Sequence, residues 1–183
     1  MSELLKYIGS LFTGGIIFLM LITFFSGVSE TAVTQTFSTV VQENMVTSTE
    51  LIERDIRLIG YGVSDSDKVL LADSTRLVYR VDLNDITHVD TVMFELGPVL
   101  GLAGGNPNAR ILYRSVNAAA PEPVATGVTD LRFLYYDSTG TSTTTPRSIR
   151  AIAVGLTMES DSRIAGAYPG VVWERTIKPK NLR

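Results

Sequence analysis

The sequence predicts an α+β chain, one long N-terminal helix packed on an antiparallel β-sheet head. Three observations carry that expectation. An uncharged apolar run, Tyr7 to Val28, passes without a Pro into an amphipathic helical pattern that stops at Gly60-Tyr61-Gly62. Beyond Gly62 the hydrophobic period switches towards two. Clusters of turn-forming residues then recur between the alternating stretches.

The helix comes first. A continuous helix over the first 60 residues would be roughly 85–90 Å long at 1.5 Å per residue. A bilayer core takes only about 20 residues, so residues 7–28 suffice as a membrane-spanning or filament-core segment and the rest projects beyond it. The run is longer than the 7–15-residue apolar core of a secretory signal, and only Lys6, opposed by Glu3, precedes it. A retained span is therefore expected rather than a cleaved signal. With Lys6 before the span and Glu30 after it, the positive-inside rule favours an N-terminus inside and a head outside the cytoplasm, which is the expected orientation. Gly14-Gly15 inside the run permits close helix approach. Gly is also simply commoner in spans than in soluble helices, and both readings stand.

From Val28 the pattern becomes amphipathic. Val28, Ala32, Val33, Phe37, Val40, Val41, Met45, Leu51, Ile52, Ile56 and Ile59 fall at helical spacing, opposite a polar face that includes Glu43, Glu50, Glu53 and Arg57. That apolar face, Val28 to Ile59, is expected to pack under the sheet of the head. Arg54 and Arg57 suit a helix C-terminus, and Gly60 and Gly62 supply a stop. The predicted division is helix 1–62 and β-rich head 63–183. Candidate strands are Val69–Ala72, Arg76–Asp82, His88–Leu96, Arg110–Val116, Asp130–Asp137, Arg147–Met158 and Val171–Lys178.

Composition removes several kinds of chemistry. The net charge of −3 and the lack of a basic patch make nucleic acid a poor partner. With no Cys there are no disulfides, thiol nucleophiles or thiolate metal sites. The single histidine, His88, has Asp85 and Asp90 nearby, but nothing singles out a nucleophile for it to activate. A surface His and no enzyme activity are expected. Asp65, Asp67 and Asp73 are weak calcium candidates, since calcium takes oxygen ligands from loops. Their spacing misses the EF-hand pattern, and a solvated acidic loop is the expected reading. No other cofactor is expected, and Gly101–Gly105 lacks the Lys-Ser/Thr of a phosphate loop. Tyr79, Phe133, Tyr135, Tyr136 and Trp173, in alternating strands, are expected to pack rather than form a binding platform.

Four stretches, in order along most of the chain, carry a resemblance. Glu53-Arg54-Asp55-Ile56-Arg57-Leu58-Ile59-Gly60-Tyr61-Gly62 ends the long helix. Thr75-Arg76-Leu77-Val78-Tyr79-Arg80-Val81-Asp82-Leu83 follows as a first head strand. Val124 to Asp137 contains Gly127-Val128-Thr129-Asp130-Leu131-Arg132-Phe133. Pro146-Arg147-Ser148-Ile149-Arg150-Ala151-Ile152-Ala153-Val154 is completed by Lys178-Pro179-Lys180-Asn181-Leu182-Arg183. Together they resemble type IV pilin-like proteins, nearest the minor pilins and larger pseudopilins of type II secretion.

That resemblance implies a pilin-like fold and a structural subunit of an extracellular or periplasmic filament. Such a subunit is anchored in the inner membrane before assembly and lies in a cell-surface or periplasmic filament afterwards. Its implied partners are the membrane, then further copies of itself or related pilin subunits. The assembly residues on this reading are Glu3, Gly14, Gly15, Ile17, Phe18, Leu21, Phe24 and Phe25. The start departs from the group, whose precursors have a short basic leader ending in Gly and then a Phe-Thr-Leu-Ile-Glu-like run. Glu3 is the one acid here placed to take the role of that Glu, which pairs with a neighbour's N-terminal amine. The rival readings are a membrane-tethered binding or sensing domain that never polymerises, and a tip-initiating pseudopilin of a secretion system.

Overall fold

The computed structural model describes residues 2–64, 67–84, 88–101, 103–164 and 166–182, without the side chains of residues 2, 5, 30, 34 and 37. One helix, α1 (Ser2–Leu58), precedes seven strands: β1 (Val69–Ala72), β2 (Arg76–Val81), β3 (Asp90–Leu96), β4 (Arg110–Val116), β5 (Glu122–Tyr136), β6 (Ala151–Glu159) and β7 (Gly170–Ile177). The strands form a single antiparallel sheet in sequence order, so the layout is α+β. The chain divides into two compact units, Met1–Phe37 and Ser38–Arg183.

In the second unit α1 contributes a buried stripe of Val41, Met45, Ser48, Ile52, Asp55 and Ile56. Steps of three and four keep these residues on one helical face. Within this unit the buried stripe begins at Val41, with Val40 exposed; Val28 and Val33, also exposed, belong to the first unit, and the Phe37 side chain lies outside the described residues. The stripe from Val41 to Ile56 is roughly 22 Å long at the helical rise, about the length of a strand of six or seven residues. Leu77, Tyr79, Phe94, Leu112, Leu131, Phe133, Ile152, Val154 and Leu156 complete the core from the strands.

The helix ends where Gly60 takes φ +75° and donates its N–H to Arg80 O at 2.8 Å. A Cβ there would lie 2.7 Å from Lys68 Cδ, so glycine answers both the backbone conformation and the close approach.

β5 turns the corner of the sheet. Its first part pairs with β4, from Arg114↔Glu122 to Arg110↔Val128. Its second part pairs with β6, from Val128↔Met158 to Tyr136↔Ala151. The β1–β2 turn meets the other side of that second part. The Phe133 N–H donates to Ser74 O at 2.8 Å, and the Tyr135 hydroxyl donates to Asp73 O at 2.7 Å. The sheet curls because one strand serves different neighbours along its length. Gly127, at the changeover, has φ +72°, and an added Cβ would stand 2.6 Å from Glu159 O. Gly127→Ala is expected to cost more than about 1 kcal/mol through the positive φ and the collision, read as a lower urea midpoint.

Some strand bounds differ from the periodicity. β5 starts at Glu122, well before the expected Asp130, because Pro123 sits at a register irregularity opposite Tyr113 where its missing N–H is tolerated. β6 starts at Ala151 because Pro146–Ser148 form a 3-10 turn with Pro in its first turn.

Tyr79, Phe133 and Tyr135 are buried in the core, and Trp173 is partly buried against it. Tyr136 points to the opposite face, where it is half-buried. Burial pushes the hydroxyl pKa of Tyr79 and of Tyr135 well above the free-tyrosine value of about 10. Both groups are neutral in either state below pH 10. Above it the unfolded chain ionises first, so stability is expected to fall as pH rises past about 10, by up to about 1.4 kcal/mol per unit for each tyrosine. Urea midpoints at pH 9 and pH 11 check this.

Candidate assembly helix

The first unit is a helical surface of apolar side chains. Among the expected assembly residues, Ile17, Phe18, Leu21, Phe24 and Phe25 are all about half exposed or more. Gly14 and Gly15 have open space where a Cβ would stand. Phe24 and Phe25 meet edge to face, with ring centroids 6.1 Å apart. The most apolar 18-residue window of the helix has a mean hydropathy of 2.2, and none of it is buried within the chain. By length and composition the helix is able to cross a membrane.

Three hydroxyls of the apolar run bond back to their own helix. Ser10 donates its hydroxyl to Tyr7 O at 3.0 Å, Thr13 to Gly9 O at 2.8 Å, and Thr23 to Met20 O at 2.9 Å. Hydroxyls that bond back to their own helix enter lipid without stranded donors. Glu3 pairs with Lys6 one turn on at 2.9 Å, both side chains well exposed. The one acid before the apolar run thus has a partner on its own helix. No protein-family model matches this chain, and no curated protein matches it.

Of the calcium candidates, Asp67 and Asp73 lie within the described residues. Asp65 lies outside the described residues. Asp67 is ion-paired to Arg147, whose guanidinium holds its carboxyl below the usual carboxylate range. Asp73 accepts the Ser74 N–H at 2.7 Å. Among the described residues no three His, Asp or Glu side chains come together as a metal site. His88 is exposed. Asp90 is buried and occupied, accepting from the Asn117 amide at 2.6 Å and from the Leu83 N–H at 3.2 Å. Asp85 lies outside the described residues.

The polar group that the sequence reading passed over is Asp55. Its side chain is 1% exposed. One oxygen accepts from Arg114 Nε at 2.6 Å and from the Tyr79 hydroxyl at 3.3 Å, tying α1 to β4 and β2. Nearby, Glu53 pairs with Arg57 on its own helix and with Arg175 of β7 at 2.8 Å. Ser48 donates its hydroxyl to Val124 O at 2.9 Å. Three polar ties thus hold the end of α1 against four strands. A signal for two of them was present: Ser48 and Asp55 fall on the apolar stripe, three residues after Met45 and Ile52 respectively.

Proposed function

We propose that the chain is a structural subunit of a type IV pilus-like filament, held in the membrane and then in the filament core by its apolar N-terminal helix. The observation that carries this reading is the continuity of α1. An uncovered apolar half, whose Ser10, Thr13 and Thr23 hydroxyls bond back to the helix, runs into a half whose inner face is riveted to the sheet. Lipid tails and neighbouring helices are equally apolar, so exchanging one for the other costs little when close packing replaces the lost contacts. Gly14 and Gly15 allow that close approach. The four stretches resembling minor pilins and pseudopilins support the same reading.

Cryo-EM of the sheared cell-surface fraction tests it. A helical filament with residues 1–30 at its axis is the expected result. Chains found only as membrane-embedded monomers would overturn it and favour a tethered, non-polymerising domain. The fragment 38–183 is expected to be soluble, monomeric and folded, because it holds the whole packed core; light scattering and circular dichroism check this.

A further inference from the structure

The outer face of β5, β6 and β7, opposite the core, holds an open trough of about 630 Å³. Its floor is the outward side of β6, where Ala153, Gly155 and Thr157 are all small. Its walls are β5 and β7, roughly 10 Å apart at two strand spacings. One cross-strand row runs Arg132, Gly155, Glu174.

Gly155 has no structural reason to be glycine. Its φ is not in the left-handed region. The register is unbroken through it on both sides, so it marks no bulge. An added Cβ would meet only Glu174 side-chain atoms, at 3.7 Å, an ordinary contact. Glycine weakens a strand interior, and apart from bulges and bends it often marks a place where a ligand or another backbone approaches closely.

The chemistry of the walls says what approaches. The main chain of β6 is engaged by ladders on both sides, so no peptide can add to it as a strand. Charges of both signs face the trough: Arg132 pairs with Asp130 at 2.9 Å, while Glu174 has no ion pair among the described residues. Mixed signs disfavour a polyanion or a polycation. Carboxylates accept, a guanidinium donates, and the hydroxyls of Thr157 and Thr176 do both, which matches a ligand rich in hydroxyls. Leu134, well exposed, and Tyr136 offer apolar surface to the C–H faces of a ring.

We propose that this trough binds a neutral, extended saccharide chain, with a sugar ring seated on Gly155 between Arg132 and Glu174. The proposal is independent of filament assembly. Its test uses the full chain in lauryldimethylamine oxide micelles, which have no sugar headgroup. Saturation-transfer NMR is run with maltohexaose, cellohexaose and chitohexaose. At least one hexaose is expected to bind, with binding lost in Gly155→Leu and weakened tenfold or more in Arg132→Gln. The Cβ of Gly155→Leu makes only ordinary contact with Glu174 and the trough above it is open, so its thermal midpoint is expected to be unchanged or raised. Silence with all three sugars overturns the proposal, as does equal binding by Gly155→Leu. Efficient Leu134→Cys cross-linking between copies overturns it too, by making the trough a contact between subunits.

Discussion

Ile17→Lys is expected to abolish filament assembly while leaving the head folded. Ile17 sits within the apolar run, and its side chain is 54% exposed. A lysine at the centre of a spanning helix costs about 2.5–3.5 kcal/mol on insertion scales. The rest of the run outweighs that in a single span, so the variant is expected in the membrane fraction at normal level. In the proposed filament the same charge would be buried among helices in every subunit, with no lipid surface to reach by snorkelling. The expected readout is a loss of at least tenfold in sheared filaments, with Ile17→Leu as the control that assembles. Normal filament yield from Ile17→Lys would rule out packing through this helix.

Asp55→Ala is expected to destabilise the head by about 3 kcal/mol, the cost of breaking a buried pair and leaving one charge behind. The abandoned groups are the Arg114 guanidinium, 16% exposed, and the buried Tyr79 hydroxyl. Urea unfolding of the full chain in micelles, followed by Trp173 fluorescence, measures it. Asp55→Ala combined with Arg114→Leu is expected to recover much of the loss, because the double variant strands no charge. A loss under 1 kcal/mol in the single variant would mean that water reaches Arg114 freely and that the pair is no rivet.

Both expectations rest on one helix, yet they differ in how far the sequence revealed them. The run around Ile17 is a local pattern that any reading of hydropathy finds. Asp55 sits between Arg54 and Ile56 and looks like one more charge on the polar face. Only its offset from Ile52 and Ile59 hints otherwise. In the sheet, β1 and β4 match the alternation at both ends. Pro121 and Pro123 give the first part of β5 the composition of a turn, and only the structure sets Tyr113 opposite Pro123. Gly155 lies inside a strand whose alternation runs regularly on both sides of it. It stands out only once its neighbours on β5 and β7 leave room for a side chain.

The sequence by itself determined that a long helix precedes a β-rich head, and that the first part of the helix is apolar on every side. Those properties are periodicities of neighbouring residues, set by helical and strand geometry. The tertiary structure alone decided that the buried stripe begins at Val41, that β5 is the corner, and that Asp55 is a buried rivet rather than a solvated acid. Each of these depends on groups distant along the chain, and Asp55 and Arg114 are 59 residues apart. Burial and pairing of a charge are set by what the fold brings beside it, which no local pattern contains.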